Sequence, residues 1–279
     1  MKHLVYILSF FFLGALFFMT GCQNQAKEQG VETQDSTVVE DSLVSDSLCP
    51  MIGSNFATEI FEDFFYEFVR NPNVQLHRII FPLKWTNNGE ERIIERKDWQ
   101  YDPFYSKKDY YSLLCDEHTL EQEQQIDTVS RKVTYQLIDI AQGTIRSYRF
   151  EIFESRWVLV SVDESSWKGT ENAEFLDFYQ SFVADDSFQF AHVSNPFRFT
   201  SYDFDSDEEL VGTLDAIQWP EFRPDLSDKV LTQIIFGDTR LKGKERIIRM
   251  TATGDGGMNV LLHFHIKRGK WMLVEQNNQ

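Results

Sequence analysis

Apolar positions in two stretches of the chain follow one helical period. In "FEDFFYEFV", Phe61, Phe64, Phe65 and Phe68 stand at i, i+3, i+4 and i+7, and in "FLDFYQSFV" Phe175, Phe178, Tyr179 and Phe182 keep the same spacing. That spacing lines one side of a helix with rings, so an amphipathic helix is predicted over each stretch. Thr58 and Thr170 stand upstream as candidate N-caps, followed by Glu59 and Glu171 in the first turn. Asp63 and Asp177 fall off the aromatic stripe, where a solvated carboxylate belongs.

A shift of 114 positions carries the first stretch onto the second without a gap over residues 61 to 85, with Phe61, Asp63, Phe64, Phe68, Val69, Gln75 and Pro82 falling on identical residues. The same shift lays "YRFEIFESRWVLVSV" (148 to 162) on "LHFHIKRGKWMLVEQ" (262 to 276), with Trp157 on Trp271 and Gly143 on Gly257. Two distant segments sharing one offset imply a duplicated unit. The organisation expected is a first α+β roll over 55–165 and a second over 168–279.

Within each copy the pattern changes after the helix. Pro82 and Pro196 mark an edge strand or a turn. A second helix is expected over "SKKDYYSLLC" (106 to 115) and over "LSDKVLTQIIF" (226 to 236). Alternation then sets in: Val133, Tyr135 and Leu137 share one strand face, and Tyr148, Phe150 and Ile152 another. "AQG" (141 to 143), "ES" (154 and 155), "GDGG" (254 to 257) and "RG" (268 and 269) read as the turns of two β meanders. Helices followed by an antiparallel sheet give the fold class α+β.

The chain starts differently. After Lys2, "LVYILSFFFLGALFFM" (4 to 19) is uncharged and apolar, and "TGC" follows. As a helix this core spans roughly 24 Å, short of a bilayer interior of about 30 Å, which suits a cleaved leader over 1–21. Thr20, Gly21 and Cys22 resemble a bacterial lipobox, although Met19 replaces its usual Leu, and the resemblance implies lipid attachment at Cys22. By the same resemblance Gln23, in place of Asp, favours the outer membrane. Residues 22–54 are rich in Ser, Gln, Glu and Asp, hold no aromatic residue, and read as a disordered acidic tether.

With 44 acidic against 27 basic residues the net charge is −17, a field that repels phosphate backbones, so no nucleic-acid partner is expected. Cys49 and Cys115 could pair in an oxidising compartment, but Cys115 closes the apolar run "YSLLC" and Phe236 holds its matching place, so a buried thiol is expected.

The lipobox, the acidic tether, and a unit with "FxDFxxxFV" near its start and a "W-x-L-V" strand at its end resemble Bacteroidetes lipoproteins with tandem nuclear transport factor 2-like (NTF2-like) domains. The resemblance covers roughly residues 55 to 279. It implies a helix closing over the concave face of a bent sheet, a cone that often holds a pocket.

Motifs of chemistry are few. His263 and His265 share one strand face but lack further ligands, and Asp203, Asp205 and Asp207 begin like a calcium loop yet are followed by Glu208 and Leu214 where Gly and Glu are needed. Neither is taken as a metal site. No nucleophile elbow, zinc helix or phosphate loop occurs, and no catalytic residue or cofactor is assigned. Trp157 and Trp271 suit core packing. Trp99 in "DWQYDPF" and Trp219 in "QWPEF" lie in irregular segments and are the candidate ligand-binding residues.

The expectation is a non-catalytic envelope lipoprotein, held to the membrane by its N-terminal lipid, that binds a small apolar molecule or an envelope protein. Two alternatives stand beside it: an isomerase or dehydratase working in one cone, and a structural component of an outer-membrane assembly.

Overall fold

The computed structural model describes residues 59–104, 107–123, 130–203, 206–226, 230–241, 243–252 and 259–279. Cys22, Cys49, the leader, the tether, Thr58, Asp205 and the "GDGG" turn lie outside them. No helix among the described residues is long and apolar enough to cross a membrane.

The two amphipathic helices form where the period places them. Helix α1 (Phe61–Arg70) buries Phe61, Phe64, Phe65, Phe68 and Val69. Each of the short helices α2 (Pro72–His77) and α5 (Asp186–Ala191) is capped by a side chain. Asn71 Oδ1 accepts from Asn73 N (2.9 Å), and Asp185 Oδ1 from Ser187 N (2.7 Å) and Phe188 N (3.1 Å). Helix α4 (Ala173–Ala184) buries Phe175, Leu176, Phe178, Tyr179 and Phe182. Helices α3 (Glu117–Glu123) and α6 (Trp219–Phe222) have no counterpart among the described residues of the other half.

The expected Thr170 cap is not used, and Thr58 lies outside the described residues. Helix α4 follows Asn172 with no side-chain cap, and Thr170 Oγ1 instead donates to Trp167 O at 2.7 Å. At α1, Ile60 occupies the cap position, and Glu59 fastens the helix to the sheet. Its carboxylate pairs with Arg78 at 2.7 Å and accepts from Trp157 N at 2.9 Å, while Trp157 Nε1 donates to Glu59 O at 2.8 Å. Burial works to raise the Glu59 pKa, but the Arg78 hydrogen bond, the Trp157 N–H and the charges of Arg78 and Arg156 outweigh it, so the net value falls below 4.5. A carboxylate with a lowered folded pKa contributes stability above its unfolded value and loses it as pH falls through the folded one. Denaturant unfolding of Glu59→Gln is therefore expected to show reduced stability at neutral pH and a shallower decline in acid. Parallel pH curves for the two proteins would rule this group out of acid unfolding.

Twelve strands form one mixed sheet: β1 (Ile79–Asn87), β2 (Glu90–Ile94), β3 (Tyr110–Cys115), β4 (Lys132–Asp139), β5 (Thr144–Phe153), β6 (Arg156–Ser166), β7 (Val193–Asp203), β8 (Glu208–Leu214), β9 (Val230–Phe236), β10 (Glu245–Ala252), β11 (Asn259–Lys267) and β12 (Lys270–Asn278). Their order is β2-β1-β6-β5-β4-β9-β3-β10-β11-β12-β7-β8. Reading it from either end gives the same series once strand numbers are shifted by six. The meanders are antiparallel as expected, whereas β1–β6, β7–β12 and β3–β9 pair in parallel. Positive φ at Glu154 and Ser155, and at Arg268 and Gly269, closes the hairpins at "ES" and "RG".

Two sequence expectations are corrected here. Residues 110–115 and 230–236 are strands, not helices. They lie at the centre of the sheet with both faces covered, so Leu113 (2% exposed) and Leu114 (1%) are buried on opposite sides and the alternation that signals a strand is absent. Pro82 and Pro196 also lie inside strands one place from the edge. There the pairing skips from Ile79 to Lys84 and from Val193 to Arg198, which spares the residue that has no N–H to donate.

The central strands cross between the halves. Strand β3 precedes β4 in the chain but pairs with β10, and β9 pairs with β4 along seven residues from Val133↔Phe236 to Asp139↔Val230. The boundary expected between 165 and 168 therefore does not divide the sheet. Residues 54 to 279 form one compact unit. Leu113 shares a hollow of about 320 Å³ with Phe61 and Phe65, whereas Leu114 joins the core of Phe175 and Phe264. Successive strand residues face opposite ways, so α1 and α4 pack on opposite faces of the sheet.

Candidate functional site

Each helix covers a concave stretch of sheet, and the register compares the two stretches position by position. In the first half one row across the strands reads Arg92, Trp85, Val162, Tyr148, Tyr135. In the second half the matching row reads Gly212, Phe199, Gln276, Leu262, Ile248. One row further, Arg146 and Glu164 are opposite each other, as are Val260 and Asn278. The first half has arginine, tryptophan, tyrosine and an ion pair where the second has small, apolar or neutral side chains.

Of these, Trp85, Arg92 and Arg146 line a hollow of about 430 Å³ with Ile94, Asp98, Trp99, Gln100, Tyr101, Asp102 and Pro103. Its far wall is an irregular segment, held in place by one buried glutamine on α2. Gln75 Oε1 accepts from Trp99 Nε1 (3.0 Å) and Asp102 N (2.9 Å), and Gln75 Nε2 donates to Asp102 O (2.8 Å) and Phe68 O (3.2 Å). Tyr101 OH adds a bond to Val69 O at 2.7 Å.

The polar groups inside form two pairs. Tyr148 OH donates to Asp102 Oδ2 at 2.5 Å, and Phe104 N donates to Asp102 Oδ1 at 2.9 Å. Burial, then the neighbouring Asp102 charge, pushes the Tyr148 pKa well above that of an ordinary phenol, so its hydroxyl stays protonated. Arg146 Nε donates to Glu164 at 2.8 Å. Guanidinium carbons of Arg92 and Arg146 stand 4.6 and 5.4 Å from the Trp85 ring centroid.

The two tryptophans named from sequence have different surroundings. Trp99 is half-buried and lines the hollow. Trp219 is 1% exposed, donates Nε1 to Gln189 Oε1 at 2.9 Å, and packs against Phe182 and Phe197, so it presents no surface to a ligand. Gln75 and Gln189 match under the 114-residue shift, so each half uses the same glutamine to hold a tryptophan at its mouth. In the second half Phe199 stacks edge-on against Phe222 at 5.2 Å.

The remaining candidates are structural in their surroundings. Trp157 and Trp271 meet Phe61 and Phe175 edge-on at 5.1 and 5.0 Å. Asp63 is exposed, and Asp177 accepts from Trp167 Nε1 at 2.8 Å. Cys115 is buried, with Sγ 3.6 Å from Ile247 O. His263 is half-buried; burial depresses its pKa despite nearby Glu275, Glu117 and Glu245. Among the described residues no group of three or more His, Cys, Asp or Glu could hold a metal ion.

Sequence reasoning named Trp99 but not the residues around it. Trp85 comes from β1, Arg146 and Tyr148 from β5 and Asp102 from a loop, and no spacing joins the three segments. The signal was the shift itself, which sets Trp85, Arg146 and Tyr148 on Phe199, Val260 and Leu262 in an otherwise similar frame.

Comparison with curated proteins gives no match. Among solved structures the chain is similar to the crystal structure of an NTF2-like protein from Bacteroides fragilis NCTC 9343, with 29% identity, a TM-score of 0.71, and coverage of 80% of this chain and 97% of that one. This likeness supports the NTF2-like α+β fold. The family model described as a domain of unknown function, DUF4348, matches residues 40–278, and the chain belongs to that family.

Proposed function

We propose that this protein is a lipid-anchored protein of the bacterial envelope that binds a small molecule in its first half and does no chemistry on it. One observation carries the binding reading. The first mouth holds a hollow lined by Trp85, Arg92, Asp102 and Arg146, whereas the places matching Trp85 and Arg92 in the second half carry Phe199 and Gly212, and Trp219 there is buried. A volume of about 430 Å³ lies within the range typical of small-molecule sites.

The chain is read as an internal duplication, two NTF2-like rolls that exchange their third strands, with the first roll keeping the binding role and the second supporting it. The lipobox-like "TGC" supports attachment at Cys22, and the net negative charge suits a soluble body held off the membrane. Against an isomerase or dehydratase reading, both Asp102 oxygens are engaged, by Tyr148 OH and Phe104 N.

Native mass spectrometry of the full-length protein released from detergent is expected to show one small molecule retained after exposure to an envelope extract, and Trp99→Ala to lower its occupancy. An unliganded protein under all conditions, with a tight partner protein instead, would favour the assembly reading.

A further inference from the structure

The two ends of the sheet share one plan and differ in chemistry. Strand β2 is one edge and β8 the other. Leu83 faces Ile94 in the first half and Phe197 faces Leu214 in the second, so Leu210 and Val211 stand where the first half has Glu90 and Glu91. The short 3-10 helices that follow, Arg96–Asp98 and Ala216–Gln218, set Ile217 in the place of Lys97. Three residues past Trp99 and Trp219, Phe222 takes the place of Asp102. Four charged positions of one half are thus apolar in the other. All four apolar side chains are exposed: Leu210 54%, Val211 55%, Ile217 74% and Phe222 39%.

An edge strand carries unpaired backbone N–H and C=O groups, and proteins shield it with charge. The first edge follows that rule, with Glu90 and Arg92 exposed and Glu91 paired to Lys84 at 2.5 Å. The second does not. Strand β8 is exposed from 208 to 213, its middle is uncharged, and Gly212 leaves a notch in which a Cβ would meet no atom within 4 Å. Beside the notch stand two rings: Phe199 pairs with Gly212, and Phe222 meets Phe199 edge-on.

The surrounding charge tells which occupant fits. Asp203, Asp207, Glu208 and Glu209 lie about the start of β8, Asp215 and Glu221 lie past its end, and residues 199 to 222 hold no lysine, arginine or histidine. A second copy of this chain fits poorly. Parallel pairing lays Glu208 and Glu209 on themselves, and antiparallel pairing centred on Val211 sets Asp207 against Asp215.

We propose that β8 accepts an extended segment of a partner protein as an added strand, with a large apolar side chain in the Gly212 notch beside Phe222 and a lysine or arginine near each end. Backbone hydrogen bonds supply the affinity of such an addition, and alternate side chains supply its selectivity. The surface belongs to the second half, so it stands or falls apart from the small-molecule reading of the first.

The test uses the full-length protein in nonionic detergent and end-blocked, fluorescently labelled peptides matched to the seven residues of β8. One is Lys-Thr-Val-Phe-Val-Thr-Lys, a second has Glu at both ends, and two more are the Lys form N-methylated on its odd or its even amides. Fluorescence anisotropy is expected to show the Lys form binding at least tenfold tighter than the Glu form, with the gap shrinking as salt rises. Only alternate amides face β8, so one methylated form should lose tenfold or more and the other far less. Gly212→Leu and Leu210→Lys, both at exposed positions, should each weaken the Lys peptide about tenfold without lowering the thermal midpoint. Ile93→Lys on the opposite edge should leave it unchanged.

Equal affinity for the Lys and Glu forms, full binding of both methylated forms, or no binding of any peptide would each overturn the proposal. Unchanged binding in both β8 variants would do the same. A concentration-dependent dimer in light scattering, abolished by Leu210→Lys, would overturn it by giving the edge to a second copy.

Discussion

Expressed alone, residues 55–165 are expected to yield no stable monomer. Strand β4 would lose all seven of its pairing partners on β9, and β3 would lose the six it has on β10. Both strands would then expose a row of unpaired N–H and C=O groups along apolar edges, which promotes association. The core suffers as well, since Ile234 and Phe236, which pack against the first aromatic cluster, come from the second half. The separate segments 55–165 and 168–279 should be aggregated or exchanged dimers by size exclusion with light scattering. A 1:1 mixture refolded from denaturant should recover a heterodimer with the circular dichroism of the whole chain. A cooperatively unfolding monomer of 55–165 would show that β3 can return to β4, and the exchange would then not be needed for stability.

The second large effect separates two tryptophans that sequence placed in one class. Trp219→Ala is expected to cost about 3–5 kcal/mol, because a fully buried ring leaves a cavity between Phe182 and Phe197 and removes the donor to Gln189. Trp99→Ala should cost less than half as much, since that ring is half-buried, yet it should lower ligand occupancy. Urea unfolding of both variants, beside Trp219→Phe, decides the matter. The phenylalanine variant should recover most of the loss and leave about 1 kcal/mol for the missing indole bond. Similar costs for the two alanine variants would mean that Trp99 is as deeply structural as its counterpart.

Most local structure was legible. Helices α1 and α4 follow from rings at i, i+3, i+4 and i+7, and the hairpins at "ES" and "RG" from their residues. Helices α2 and α5 were missed because six residues carry too little period, although Asn71 and Asp185 mark their starts. "YSLLC" and "TQIIF" were mistaken for helix because a strand covered on both faces shows no alternation. At the site, sequence singled out Trp99 as an aromatic in a loop. It did not find Arg92, Trp85, Asp102 and Tyr148, whose meeting depends on how four separate segments align.

By itself, then, the amino-acid order determined the ringed helices and the meanders, since these depend on side chains a few residues apart. Tertiary structure alone decided that β3 and β9 cross to the other half and that Trp85, Arg92, Trp99 and Asp102 meet around one hollow. The physical reason is that sheet pairing runs through backbone groups nearly blind to side-chain identity. Two similar central strands can each satisfy either neighbour, so the pattern along the chain does not say which half each one joins.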